Sequence, residues 1–545
     1  MSITNSNSDV EKDHVPVKSA ADAHHFYLED GAVPGESFEY GNTLYAKAQR
    51  WAGKFSIEQR GIERVPEDER HESGMKGLLN VSTMWFSANM VVSTFAIGLL
   101  AKPVFYLGFA DAILTALFFN LLGVIPVCFF STFGPRFGLR QMVLSRFWFG
   151  WWGVKLIALF NVLACIGWAS VNSIVGAQLL HAVNNDVPGY AGIIIIGVCT
   201  LAVTIFGYKV VHAYEFWSWV PTSIIFLIIL GVFAHSGDFV NIPWATGTSE
   251  LGGVLSFGAT VFGFATGWVS YAADYTVYQP VTQKRRAVFA WNWGGLIIPL
   301  LFCEFLGIAV TTATSINGGD NIYQTGLDNS GTGGLLAAVL RPHVGRFGDF
   351  CLVVLALSII ANNCPNIYSF SLTIQVFGNW TRLVPRFIWT IVGTAASIAI
   401  AIPGYSHFFT VLSEFMDFIG YWLAIYEAIS LSEHFIFKRG FSGYNPEHYN
   451  QPTKLPAGIA AIGAFCCGIA GMVCGLSQPW FVGPIAIHAG EAPYGGDVGF
   501  ELAFAFAGVS YIVLRNIELK YEPQIIATAV RLRNRFDSMI GLGKH

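Results

Sequence analysis

Charge is what this sequence has little of. Only 12% of its residues are Asp, Glu, Lys or Arg, about half the share of an ordinary soluble domain, and the net charge of -4 points to no class of partner. Set beside 53% hydrophobic residues, that shortage argues against a soluble globular enzyme and for an integral membrane protein. No cleavable leader is expected either, because the opening "MSITNSNSDVEKDHVPVKSAADAHH" has no short apolar core. Intramembrane catalytic patterns such as HExxH, paired Asp-rich motifs or a Ser/His pair are lacking, and His212, His407 and His434 lie near span ends without metal-ligand spacing. The nine cysteines fall in apolar segments and read as small buried hydrophobes. The expectation is a protein that is not an enzyme and has no metal, organic cofactor or nucleic-acid partner. A channel would show repeated filter segments, and none is present.

What is abundant is apolar length and aromatic content, with 45 Phe and 16 Trp. A helix needs about 20 mostly apolar residues to cross a bilayer, and that rule predicts twelve transmembrane helices in an all-α protein. The expected spans are 78–101, 104–130, 153–182, 190–208, 214–234, 254–279, 288–314, 348–377, 387–403, 407–432, 456–477 and 498–515. Residues 1–77 and 516–545 are left as tails. Alternate loops differ in basic content. One set holds Arg136, Arg140, Arg146, Lys209, Lys284, Arg285, Arg286, Arg382, Arg386, Lys438, Arg439 and Lys454, whereas the other holds Lys102, Arg341 and Arg346. The positive-inside rule puts the first set, and with it both termini, in the cytosol. The basic, aromatic loop 131–152 is expected to form an interfacial helix that anchors the bundle in lipid.

Polar groups at membrane depth are costly and therefore mark candidate sites. In "IGWASVNSIVGAQ", Trp168 and Asn172 are four residues apart and share a helix face; each alone also reads as packing or as an interhelical hydrogen bond. Gln178 falls near the outer mouth with no assigned role. The sixth span repeats the theme with Trp268, Tyr271, Asp274 and Tyr275. The eighth holds Asn362, Asn363, Pro365 and Asn366, and the first holds Ser87 and Asn89. Gly258, Gly263 and Gly267 make the sixth span easy to unwind, and Pro365 predicts an interruption of the eighth. The middle of the first span has no Gly or Pro to mark a break. Asn offers donor and acceptor from one planar amide, and Trp offers a face for stacking. Two Trp and several Asn without Arg or Lys suit a neutral flat solute, since a carboxylate or phosphate would want a cation.

Uphill transport also needs a coupling ion. The acidic candidates for a proton are Glu215, Glu414, Asp417 and Asp274, with Glu304 a further carboxyl in the seventh span. Glu414 and Asp417 are three apart and share a face. Asp274, five residues before Gln279 and ten before "KRR", reads rather as part of a gate ion pair at the cytosolic end, which leaves Glu215 and Glu414 the better proton candidates.

"WFSANMVVSTFAIG", "GWASVNSIVGAQ", "GWVSYAADYTVYQP" and "ANNCPNIYSFSLTIQ" together resemble the fungal purine-cytosine permeases of the nucleobase cation symporter 1 family, over roughly residues 40–520. The resemblance implies a LeuT-type core of two inverted five-helix repeats within 78–403 and 407–432, with discontinuous first and sixth helices beside the site and two added helices in 456–515. It implies proton-coupled import of adenine, guanine, hypoxanthine and cytosine across the plasma membrane for salvage. It places the base between Trp168 and Trp268, with Asn172, Asn363, Asn362, Pro365 and Ser87 or Asn89 around it. The eighth span also carries carbonyls and hydroxyls that would suit sodium. Uracil, allantoin, thiamine and pyridoxine are rival solutes for the same chemistry.

Overall fold

A run of apolar residues can cross lipid only if its backbone groups are satisfied within the segment, which favours helices. The computed structural model describes residues 61–539 apart from 245 and 383, and among these helices dominate. In chain order they are α1 Gly74–Asn89, α2 Val92–Leu99, α3 Phe109–Ser131, α4 Arg146–Val183, α5 Gly189–Thr204, α6 Tyr208–Ser236, α7 Thr248–Thr266 and α8 Arg285–Thr312. There follow α9 Ile322–Val344, α10 Arg346–Thr373, α11 Arg386–Gly404, α12 Phe408–Ser432, α13 Ile459–Gly475 and α14 Gly499–Met539. Eight helical stretches are long and apolar enough to cross a membrane, and α5 and α13 are shorter apolar helices. The chain is a multi-pass membrane protein.

Helix α10 lies along α4, α1 and α2 along α8, and α7 against α3 and α12, while α13 and α14 pair with each other. Small residues permit the closest crossings. A Cβ on Gly98 would stand 2.0 Å from the Glu304 carbonyl oxygen, and one on Gly307 2.2 Å from that of Phe95, so α2 and α8 meet backbone to backbone.

Three expectations need correction. The segment 131–152 is not an interfacial helix: it folds inward as short helices Phe133–Phe137 and Gln141–Leu144, with Arg140, Gln141 and Trp148 buried. Its polar groups find partners inside the protein, Arg140 Nη1 donating to the Asp274 carbonyl at 2.6 Å and Nη2 to Tyr368 Oη at 2.9 Å. Pro365 does not interrupt its helix, since α10 runs on through it. The tails are also shorter than expected. Arg70 donates to the carbonyls of Val65, Pro135 and Phe137, tying the chain before α1 to the inward-folded segment. At the other end α14 continues past 515, where buried Arg515 meets Glu433 at 3.3 Å and Glu518 at 2.7 Å. The parts of the expected tails in 1–60 and 540–545 lie outside the described residues.

Candidate functional site

Two helix interruptions face the centre of the bundle. The first separates α1 from α2 at Met90 and Val91, both with non-helical backbone angles. A helix end leaves carbonyls without intrahelical donors, and here side chains supply them. Asn362 Nδ2 donates to the Ala88 carbonyl at 2.5 Å, and Thr94 Oγ1 to that of Asn89 at 2.7 Å. Asn89 Nδ2 turns back to the Trp85 carbonyl at 2.8 Å. The second lies beyond Thr266, where Gly267 and Trp268, still at helical angles, lead into a tighter 3-10 turn over Val269–Tyr275 whose backbone leaves helical geometry at Tyr271 (φ -142°, ψ 20°). A Cβ on Gly267 would lie 3.1 Å from Trp168 Cζ2. Glycine at this joint thus gives the Trp168 ring its room.

Between the interruptions runs a chain of amides. Ser93 Oγ donates to Asn172 Oδ1 and Asn172 Nδ2 to Asn362 Oδ1, each at 2.6 Å. Asn366 Nδ2 reaches the Asn362 carbonyl at 2.8 Å and accepts at Oδ1 from Tyr271 Oη at 2.7 Å. Asn363 differs from these. Its Nδ2 makes two long contacts, to Ser173 Oγ at 3.3 Å and the Ala169 carbonyl at 3.5 Å, and its buried Oδ1 has no partner among the described residues. A buried acceptor left unpaired costs about 1–3 kcal/mol, a cost that a donor brought by a ligand removes.

The two tryptophans stand in different settings. Trp268 Nε1 donates to Asn89 Oδ1 at 3.1 Å, and its ring meets Trp85 edge to face at 5.4 Å. Trp168 is framed by Phe264 at 5.3 Å and Phe415 at 5.6 Å. Of the two first-span candidates, Asn89 joins the Trp268 side, whereas Ser87 Oγ pairs with Ser218 Oγ of α6 at 2.5 Å. The Pro365 carbonyl accepts from Tyr275 Oη at 3.2 Å. The structure therefore brings together Trp168, Asn172, Trp268, Asn363, Asn362, Asn89 and Pro365 along the two interruptions, and turns Ser87 toward another helix.

Glu414 and Asp417 are neighbours on α12, and the other acidic candidates lie on separate elements. Asp274 accepts from the Gln141 backbone N–H at 2.7 Å. Asp417 accepts from Thr260 Oγ1 at 2.8 Å and Gln478 Nε2 at 2.7 Å, while Glu414 is half-exposed. Glu215 is fully buried and neither carboxyl oxygen has a partner among the described residues. Glu304 accepts from Asn120 Nδ2 at 2.6 Å with its other oxygen unpaired.

Several participants escape sequence reading. Ser93 and Ser173 bond the key amides, Phe264 and Phe415 frame Trp168, and Glu427 accepts from Thr266 Oγ1 at the second interruption. The available signal was position: Ser93 lies four residues after Asn89 in the same apolar run, and Glu427 sits ten after Asp417 in one helix.

Residues 64–483 match the profile of a family described as permeases for cytosine/purines, uracil, thiamine and allantoin. The chain belongs to this family. It is 63% identical over 513 residues to purine-cytosine permease fcyB of Emericella nidulans, covering 94% of this chain and 98% of the relative. A purine-cytosine permease of Saccharomyces cerevisiae is 44% identical over 480 residues, covering 86% and 89%. A vitamin B6 transporter of the same yeast is 32% identical over 515 residues, covering 85% and 88%. Among solved structures, a nucleobase-cation-symport-1 transporter closed around bromovinylhydantoin superposes with a TM-score of 0.63 at 14% identity, covering 85% of this permease and 96% of that chain. At that identity the likeness shows a shared fold, the LeuT-type helical fold, and nothing about the solute.

Proposed function

We propose that this permease imports adenine, guanine, hypoxanthine and cytosine with protons across the plasma membrane by alternating access. The observation that carries the reading is the unpartnered Asn363 Oδ1 beside the amide chain. Adenine and cytosine each present an exocyclic amino group next to a ring nitrogen, a donor beside an acceptor that one amide matches in two hydrogen bonds. Hypoxanthine and guanine offer a carbonyl instead, which an amide meets by rotating, and the long contacts of Asn363 Nδ2 leave it that freedom. Trp168 and Trp268 supply the stacking faces, each worth about 0.5–1.5 kcal/mol. Asn172, Asn362, Asn89 and Pro365 hold the frame, with Ser87 linking it to α6.

The proposed topology has twelve crossings, ten of them in two inverted five-helix repeats. α1 with α2 and α7 with its 3-10 extension make one crossing each, α9 lies between crossings, and the 52-residue stretch Arg386–Phe437 supplies two. The basic loops are cytosolic and so are both termini. The interruptions are the joints about which the repeats rock. Among the acidic candidates Glu215 is favoured as the proton carrier. A charge on an unpartnered buried carboxyl is costly and a proton relieves that cost, whereas Asp274 and Asp417 already have donors and Glu414 is half-exposed.

The test is uptake of radiolabelled adenine and cytosine by cells expressing the chain, with and without an uncoupler. Saturable uptake of both that collapses with the uncoupler is expected. Uptake that persists and follows sodium would move the coupling ion to the α10 side. If neither base enters a cell that displays the protein, the substrate reading fails, and uracil, allantoin, thiamine and pyridoxine are the next solutes.

A further inference from the structure

Where α3, α8 and the end of α12 meet lies a cavity of about 910 Å³ that shares no lining residue with the amide chain and is lined by Arg136, Lys284, Arg285, Arg439, His434 and Phe441, among others. Four of these are permanent cations, and all four are exposed. Among the described residues none of them has a carboxylate within ion-pair distance; the nearby Glu433 is engaged by Arg515 at 3.3 Å and Lys438 at 3.9 Å. Arg285 lies over the Phe441 ring at 4.6 Å, which holds one cation in place by a cation-π contact. Arg439 is held with φ 53°, a left-handed conformation that side chains rarely adopt, by a turn closed by Gly440 N–H to the His434 carbonyl at 2.9 Å. Beside the cavity Phe435 and Ile436 are 60% and 47% exposed, as suits a rim in contact with acyl chains.

We propose that this cavity binds the headgroup of an anionic phospholipid from the same leaflet. Unneutralised cations gathered in a pocket between helix ends, with an apolar rim at its side, match a phosphate that arrives attached to hydrocarbon. A soluble anion would have no use for the rim. The site is independent of the transported solute and of which way the chain is oriented.

The test uses the full-length protein purified in detergent, with dioctanoyl phosphatidylinositol 4-phosphate as the probe and thermal unfolding as the readout. The lipid should raise the unfolding temperature saturably, while dioctanoyl phosphatidylcholine and inorganic phosphate at equal concentration should not. R136Q/R439Q should weaken the apparent affinity roughly thirty-fold, from about two lost cation contacts, and K454Q, outside the cavity, should leave it unchanged. Equal protection by phosphatidylcholine, or by inorganic phosphate, overturns the proposal. So does a double variant that binds as the parent does, or a loss in K454Q as large as in the double variant. Should the double variant fail to fold, the three ligands on the unaltered protein decide.

Discussion

The amides and the carboxyls of this permease are buried alike but organised in opposite ways. Asn172, Asn362 and Asn366 bond one another across α4 and α10, whereas Glu215, Glu304 and Glu427 sit on α6, α8 and α12 with at most a neutral donor each among the described residues. An amide carries donor and acceptor in one neutral group, so it can trade a protein partner for a ligand without a change of charge. A buried carboxyl cannot make that trade cheaply, because its states differ by a full charge. The amide zone therefore suits a neutral flat solute, and the isolated carboxyls suit an ion that comes and goes.

The sharpest way to break this division is N363A, which deletes the unpaired acceptor and both long donor contacts. Uptake of adenine and cytosine should fall about thirty-fold or more at saturating surface expression, the equivalent of about 2 kcal/mol. Normal uptake by this variant would take the amide zone out of the site. Next comes E215Q, which removes the charge and the exchangeable proton while keeping the shape and losing no observed hydrogen bond. Base accumulation should drop by roughly tenfold for each unit of pH difference no longer harvested. An unchanged response to external pH would move coupling to another carboxyl. W268F keeps a stacking ring and loses the N–H that reaches Asn89. It should raise KM about fivefold, for about 1 kcal/mol, and an unaltered KM would assign the indole N–H to packing.

The smallest effect lies outside the helices. Asp497 is buried below the Ser477–Val482 hairpin, accepting from the amides of Ser477 at 2.7 Å and Gly499 at 2.9 Å. Burial outweighs these bonds and raises its carboxyl to about 6. Between the ordinary carboxylate range and that value the folded protein holds a proton that the unfolded chain has released. Its contribution to stability is thus present in acid and lost as pH rises through about 6. The unfolding temperature of the parent should decline over that window, and D497N should lose the slope. A parent profile identical to that of D497N would remove Asp497 from the account.

The uneven legibility of the molecule has physical causes. Trp168 and Asn172 could be paired from spacing alone, because a helix face is a local property, whereas of Gly258, Gly263 and Gly267, all expected to ease unwinding, the first two stay inside α7 and Gly267 stands where it passes into the 3-10 turn. The first interruption left no mark. It is held by Asn362 from α10 and by Thr94, and the first of these is a contact between residues 274 apart in sequence. Pro365 gave the opposite error: its lost hydrogen bond predicts a break, yet packing keeps α10 continuous, as buried membrane helices allow. The 131–152 segment is ambiguous for a related reason, since basic and aromatic residues look the same whether they meet headgroups or, like Arg140, a carbonyl and a tyrosine distant in sequence. Glu427 leaves no local signal, because its partner Thr266 is 161 residues away in sequence.

The most direct test of the central claim is equilibrium binding of tritiated adenine to the purified protein in a scintillation proximity assay, with unlabelled cytosine as competitor. The account predicts saturable binding that cytosine displaces and that N363A abolishes while the protein stays folded. Binding that survives N363A undiminished, or no binding of either base to the folded parent, would contradict it.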